Sequence, residues 1–218
     1  MKSILILSLA FFSLASCAQD ASSSTGNAHL DKPSQESLDS LQTAYFASGC
    51  FWCVEAIFES VDGVSEAVSG YAGGEEPNPT YRSVSSGNSK HAETVKVYYD
   101  SSKVSFETLV EVFFNSHDPS TKNAQGPDHG PQYRSIAFYQ NQEEESIIQR
   151  KIKEYRLAGT FSRITTEVTE LDTFYEAEAY HQDYERLHPN QGYIKSVSIP
   201  RLNKFKKKMP WVLKDGVH

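Results

Sequence analysis

Gln42-Thr43-Ala44-Tyr45-Phe46-Ala47-Ser48-Gly49-Cys50-Phe51-Trp52-Cys53-Val54-Glu55 is the stretch that decides how this chain folds. Gln42–Ser48 is a short alternating run and reads as a strand. From there Phe51, Val54, Ile57 and Phe58 recur at helical spacing, so residues 50–60 read as a helix. Gly49 permits a tight turn between the two. Cys50 therefore stands where a strand becomes a helix, beside unsatisfied N–H groups that favour an anion. A free thiol titrates near ~8.5, and a helix N-terminus lowers that by about one unit or more. The expectation is an activated thiol at Cys50, with the rings of Phe51 and Trp52 supplying an apolar surface beside the sulfur.

Outward from this stretch, Val64–Ala72 alternates and ends in the Gly73-Gly74 turn. Residues 75–88 hold Pro77, Pro79 and Gly87 and read as a long loop with a helical turn near Tyr81. Ala92–Tyr99 is a strand with Val95, Val97 and Tyr99 on one face and Thr94, Lys96 and Tyr98 on the other. Ser105 is suited to cap a helix whose stripe is Phe106, Leu109, Val110, Phe113 and Phe114. Residues 117–132 are polar, with several Pro and Gly, and read as loop; 134–139 is a strand. The order β-α-β-β-α-β is the split βαβ pattern of a ferredoxin-like α/β plait, an α+β sandwich with helices on one side of the sheet. The remainder extends it. Asn141 caps a charged helix over 142–158, 165–171 is a strand, and 176–187 reads as helical. Pro200 starts a last helix, carrying Leu202, Phe205 and Met209, which Pro210 stops.

The chain has 218 residues, enough for one domain with a sizeable core, and a net charge of −7 that argues against a nucleic-acid partner. Met1-Lys2, the apolar run from Ile4 to Leu14, and Leu14-Ala15-Ser16-Cys17 read as a signal peptide over residues 1–16 with a bacterial lipobox. An ordinary secretion signal with a chance Cys is the alternative. The apolar run is short for a membrane span. On the lipobox reading Cys17 carries the lipid, residues 17–40 are a tether without order, and residues 41–218 are the folded domain. This places the chain, as an expected monomer, in the bacterial cell envelope. The lipid anchors it to a membrane, on the periplasmic side or at the outer membrane. Two thiols then remain, Cys50 and Cys53, in an oxidising compartment.

Glu93 shares the parity of Val95, Val97 and Tyr99, which aims it at the apolar face of its strand. Burial there raises a carboxyl pKa and makes a general acid; if the strand starts after Glu93, the side chain is merely solvated. Asp128-His129-Gly130-Pro131-Gln132-Tyr133-Arg134 is a polar loop entering a strand, where sites are built but where simple turns also occur. Tyr81 lies in another turn and reads, by itself, as a rim or core aromatic. Cys50 and Cys53 sit three apart on one helical turn and can close a disulfide. Zinc would need two further ligands, and no second close pair of Cys or His exists, so no metal is expected.

Taken together, Gly49-Cys50-Phe51-Trp52 with Val54-Glu55, Gly70-Tyr71 with Gly73-Gly74, Asn78-Pro79-Thr80-Tyr81, His91-Ala92-Glu93, His117-Asp118-Pro119, Asp128 to Ser135, and His181-Gln182 with Tyr184 resemble the peptide methionine sulfoxide reductase A family. The resemblance spans roughly residues 45–193. It implies an α/β plait, a nucleophile at Cys50, methyl-binding rings at Phe51 and Trp52, and a proton donor at Glu93. It also implies that Tyr81, Asp128, Tyr133 and Tyr184 bind the sulfoxide oxygen and order water. The implied reaction reduces methionine S-sulfoxide, free or in proteins, and leaves Cys50 as a sulfenic acid. No bound cofactor is implied, only an external thioredoxin-like dithiol. This chain departs from many relatives: Cys53 stands where they have Gly, and no Cys follows it. Cys53 is thereby a candidate to resolve the sulfenic acid as a Cys50–Cys53 disulfide, the alternative being direct reduction by an external thiol. A thiol-disulfide oxidoreductase, suggested by Cys-x-x-Cys, and a lipoprotein binding module are the competing functions.

Overall fold

The computed structural model describes residues 32–216. The signal peptide, Cys17 and the tether up to residue 31 lie outside the described residues. Its elements run α1 Gln35–Asp39, β1 Gln42–Ser48, α2 Phe51–Glu59, β2 Val64–Ala72, α3 Tyr81–Ser85, β3 Ala92–Tyr99 and α4 Phe106–Ser116. They continue with β4 Ala124–Gln125, β5 Asp128–His129, β6 Ser135–Tyr139, α5 Gln142–Leu157, β7 Glu167–Glu170, β8 Tyr175–Glu176, α6 Tyr184–Leu187 and α7 Ile199–Lys208.

The sheet order is β7-β6-β1-β3-β2-β8. Neighbours among its four middle strands are antiparallel, and each βαβ pair is split by a strand of the other, which is the ferredoxin-like arrangement expected. β7 adds in parallel beside β6, and β8 pairs antiparallel with the other edge. Strand alternation sorts the sheet into two faces. Ala44, Phe46, Val95, Val97, Tyr99 and Ala137 face the main core with α2, α4, α5 and α7. Tyr45, Ala47, Ala92, Ile136 and Phe138 make a smaller cluster on the reverse face, packed by Leu171 and Phe174. Phe46 is the pivot of the main core, stacked 5.0 Å from Phe58 and 5.2 Å from Phe113. The caps read from the sequence are in place: Ser105 Oγ accepts from Thr108 N–H at 3.1 Å and Asn141 Oδ1 from Glu144 N–H at 3.0 Å, each typically worth about 1 kcal/mol.

Three expectations need correction. The tether does not run without order to residue 40. Ser34 caps α1, Leu38 is only 7 % exposed, and Lys32 pairs with Asp183 at 2.6 Å and Glu66 at 3.3 Å. A polar composition concealed one apolar anchor and one long-range ion pair. Residues 176–187 are not one helix. Ala177 N–H bonds the Ser69 carbonyl, and Gln182 bonds both the N–H and the carbonyl of Ser69 (2.9 and 3.0 Å). The segment therefore extends the edge of β2. A 3-10 turn at Ala179–His181 follows, and Asp183, at φ 57, then breaks the chain direction before the short α6. The loop over 117–132 holds the small β4–β5 hairpin, which delivers Asp128.

Candidate active site

The end of β1 and the start of α2 build the site. Gly49 takes φ 95, and a Cβ there would meet Gln125 at 2.7 Å, so the turn requires glycine. Cys50 becomes the N-cap of α2. β3 runs antiparallel beside β1 and brings Glu93 under the same helix end. Phe51 N–H donates to Glu93 Oε2 at 3.0 Å. Glu93 is 2 % exposed, so strand parity placed it correctly. Burial pushes its carboxyl up to about 8; the Phe51 N–H opposes this, and the charges of Asp128 and Cys53 add to it. Glu93 therefore carries a proton at neutral pH.

Tyr81 from α3 and Tyr133 from the turn at Pro131–Tyr133 converge on the same point. Both phenols are pushed up, first by burial and then by the negative charges of Glu93 and Cys50. Asp128 lies beside them, raised by burial, and accepts from Tyr193 O–H at 2.5 Å. Phe51 is buried among Trp52, Tyr71 and His181, and its ring lies 4.9 Å from the His181 ring. Trp52 is half-buried. Tyr184 stacks flat on it, centroids 3.8 Å apart at 9°. Tyr184 thus holds the indole in place. The structure brings together all nine residues singled out in the domain: Cys50, Phe51, Trp52, Cys53, Tyr81, Glu93, Asp128, Tyr133 and Tyr184.

The ionisation differs from the expectation of an anionic Cys50. Burial pushes the Cys50 thiol well up, and its hydrogen bond to Cys53 and the charge of Glu93 add to that. The Cys53 thiol is lowered, chiefly by the hydrogen bond from Cys50, against burial and with help from Arg201. The two sulfurs titrate as one unit. The helix-end argument was local and could not register how deeply Cys50 is enclosed.

The matching family model is that of peptide methionine sulfoxide reductase, and it covers residues 42–212. The chain belongs to the peptide methionine sulfoxide reductase family. It is 48 % identical over 171 residues to MsrA of Trichodesmium erythraeum, covering 78 % of this chain and 97 % of that one. MsrA of Polynucleobacter asymbioticus is 41 % identical, over 82 % of this chain and 95 % of that one. Among solved structures, methionine sulfoxide reductase A of Corynebacterium diphtheriae superposes with TM-score 0.62 at 36 % identity, covering 69 % of this chain and 76 % of that one. Reduced Mxr1 from Saccharomyces cerevisiae gives 0.65 at 32 %, covering 69 % and 87 %.

Around the reductase centre stand residues whose roles the sequence did not reveal. Glu178 accepts from Tyr71 O–H and from Tyr81 N–H, both at 2.9 Å, and so fixes the start of α3. His181 is 1 % exposed; its Nδ1 accepts from Trp52 Nε1 at 3.1 Å, which puts the ring proton on Nε2. Tyr193 donates its O–H to Asp128, and its hydroxyl oxygen lies 3.9 Å from Cys53 Sγ. Arg201 arrives from α7, and nothing in its local sequence announces it. A carboxylate cluster elsewhere does not suit a cation. Glu55, Glu59 and Asp183 oxygens lie within 4.8 Å of one another. Yet burial raises Glu55 to about 8, so it holds a proton, and Lys32 and Arg186 already neutralise Asp183.

Proposed function

We propose that this chain reduces the S epimer of methionine sulfoxide, free or in oxidised proteins, to methionine. The observation that carries this is an enclosed Glu93, its carboxyl pushed up by burial, held at the helix end that presents Cys50. As the Cys50 sulfur attacks the sulfoxide sulfur, Glu93 protonates the sulfoxide oxygen, and the proton given up by the thiol pair restores Glu93. That oxygen would otherwise gather charge in a site from which water is largely excluded. The net step converts Cys50–SH and R–S(O)–CH3 into Cys50–S–OH and R–S–CH3. Phe51 and Trp52 form the apolar surface for the methyl group, and Tyr184 and His181 keep the indole in position. Tyr81 and Tyr133 converge on the oxygen's side, and Asp128 and Tyr193 hold the polar wall beside them.

Cys53 then resolves the intermediate. Its sulfur attacks Cys50–SOH, the hydroxyl leaves as water with the Cys53 proton, and a Cys50–Cys53 disulfide remains for an external thioredoxin-like dithiol. Support comes from the placement of Cys50 at the N-cap and Cys53 in the first turn of α2, both as free thiols. An epimer-resolved assay with dithiothreitol tests the reaction: the S epimer is consumed and the R epimer persists, and the reverse pattern excludes the assignment.

The N-terminus supports a lipoprotein, with residues 1–16 as signal peptide and Cys17 carrying the lipid. The envelope would then be where the domain meets oxidised proteins. Cys17→Ser should move the protein from the detergent phase to the aqueous phase in a phase-partition experiment. Equal partition of both forms would refute the anchor.

A further inference from the structure

The two epimers of a sulfoxide carry the same groups on sulfur. With the stem and the lone pair held in place, one becomes the other by exchanging oxygen and methyl. A site therefore tells them apart only as far as it fixes the oxygen's place relative to the methyl's. Tyr81 belongs to the oxygen's side here, and Phe51 and Trp52 to the methyl's. Glu178 is attached to both. Its Oε1 accepts from Tyr81 N–H at 2.9 Å, at the start of the five-residue α3. Its Oε2 accepts from Tyr71 O–H at 2.9 Å, and the buried Tyr71 ring lies 5.8 Å from that of Phe51. The same Oε2 is 3.9 Å from His181 Nε2. That buried nitrogen has no hydrogen-bond partner among the described residues, and the other ring nitrogen of His181 accepts from the Trp52 indole at 3.1 Å. The His181 ring itself lies 4.9 Å from Phe51 and 4.4 Å from Tyr81.

We propose that Glu178 is the positioning residue that sets the spacing between the oxygen's place and the methyl's place, and through it the preference for the S epimer. This rests on the reading above, in which Phe51 and Trp52 take the methyl and Tyr81 the oxygen. The carboxylate can serve as a fixed reference because its segment is mounted on the sheet from both sides. Before it, Ala177 N–H bonds the Ser69 carbonyl; after it, Gln182 bonds the N–H and the carbonyl of Ser69. The substitution that removes the carboxylate strands two donors at once, the Tyr81 N–H and the Tyr71 hydroxyl. Unpaired donors turn to whatever partner is in reach. Tyr81 then moves with the start of α3, and Tyr71 loosens behind Phe51. Both shifts change the distance between the walls while Cys50 and Glu93, which Glu178 does not bond, stay where they are.

The test compares the purified epimers of N-acetylmethionine sulfoxide in full-length protein. Single-turnover rates with protein in excess give the S-to-R ratio and make a slow R reaction measurable. A variant that merely folds less well slows both epimers alike and leaves the ratio unchanged, so the ratio reads the geometry. Glu178→Ala should lower it about tenfold, the order expected when reacting groups are displaced by a fraction of an ångström. Glu178→Gln, which keeps an acceptor oxygen for Tyr81 N–H, should recover most of that loss. An alanine variant with the wild-type ratio, or one that still leaves the R epimer untouched, overturns the role, as does a glutamine variant no more selective than alanine. Wild-type protein that prefers the R epimer refutes the reading of the reaction itself. Wild-type preference for S with an unchanged ratio in the alanine variant refutes only the part given to Glu178.

Discussion

Cys50→Ser abolishes methionine formation from the sulfoxide, to below detection, with the fold intact. The reason is chemical as well as geometric. The reaction moves an oxygen atom onto the attacking side chain, and sulfur accepts it as a stable sulfenic acid. A serine oxygen in the same place would have to become a peroxide, at far higher energy, and its hydroxyl holds its proton much more firmly than a thiol. Removing Cys53 acts differently. Cys53→Ser keeps an oxygen-accepting sulfur at Cys50, so it retains methionine formation in a single turnover and loses the closing disulfide. Single-turnover methionine yield for the two variants, alongside their urea unfolding curves, separates the nucleophile from its partner. Cys50→Ser protein that still made methionine would remove Cys50 from the mechanism.

Glu93→Gln gives the second large effect, a loss of about 10²–10⁴ in the rate of the sulfoxide step. The amide keeps the shape and can still accept from Phe51 N–H, but it has no proton to transfer. The sign with pH follows from the carboxyl's upward shift to about 8 from 4.5. The acid form is present below that value, so wild-type single-turnover rate falls as pH rises through about 8. The glutamine variant, slow throughout, lacks that limb. Stability moves in the same window. Between about 4.5 and 8 the unfolded chain has given up this proton and the folded chain has kept it. Folding therefore loses stability as pH rises through that interval. Glu93→Gln should flatten that slope in denaturant titrations at pH 5 and pH 8. An unchanged slope and an unchanged alkaline limb would place the proton donor elsewhere.

The sequence makes legible what periodicity and parity control. The bounds of Gln42–Ser48, Val64–Ala72 and Ala92–Tyr99 are as read, and the alternation of β3 alone put Glu93 on the core side. Residues gathered by long-range contacts were beyond that reach. Gln182 reorganises its segment by bonding the Ser69 backbone, 113 positions away, which no local pattern for residues 176–187 encodes. Arg201 is placed by carbonyls of Ser48 and Ser116. The thiol ionisation failed for a related reason: the position at a helix start is visible in sequence, whereas the enclosure that outweighs it is made by α7, β3 and the β4–β5 hairpin together. Family resemblance filled much of this gap for Tyr81, Asp128, Tyr133 and Tyr184, because it carries tertiary information that spacing does not.

The most direct test of the central chemistry is one turnover without reductant. Reduced protein receives the S epimer, methionine is counted, and the peptide spanning Cys50 and Cys53 is weighed. One methionine per chain, with that peptide two hydrogens lighter, is the predicted result. Methionine released while both thiols remain free, or no methionine at all, would contradict the account.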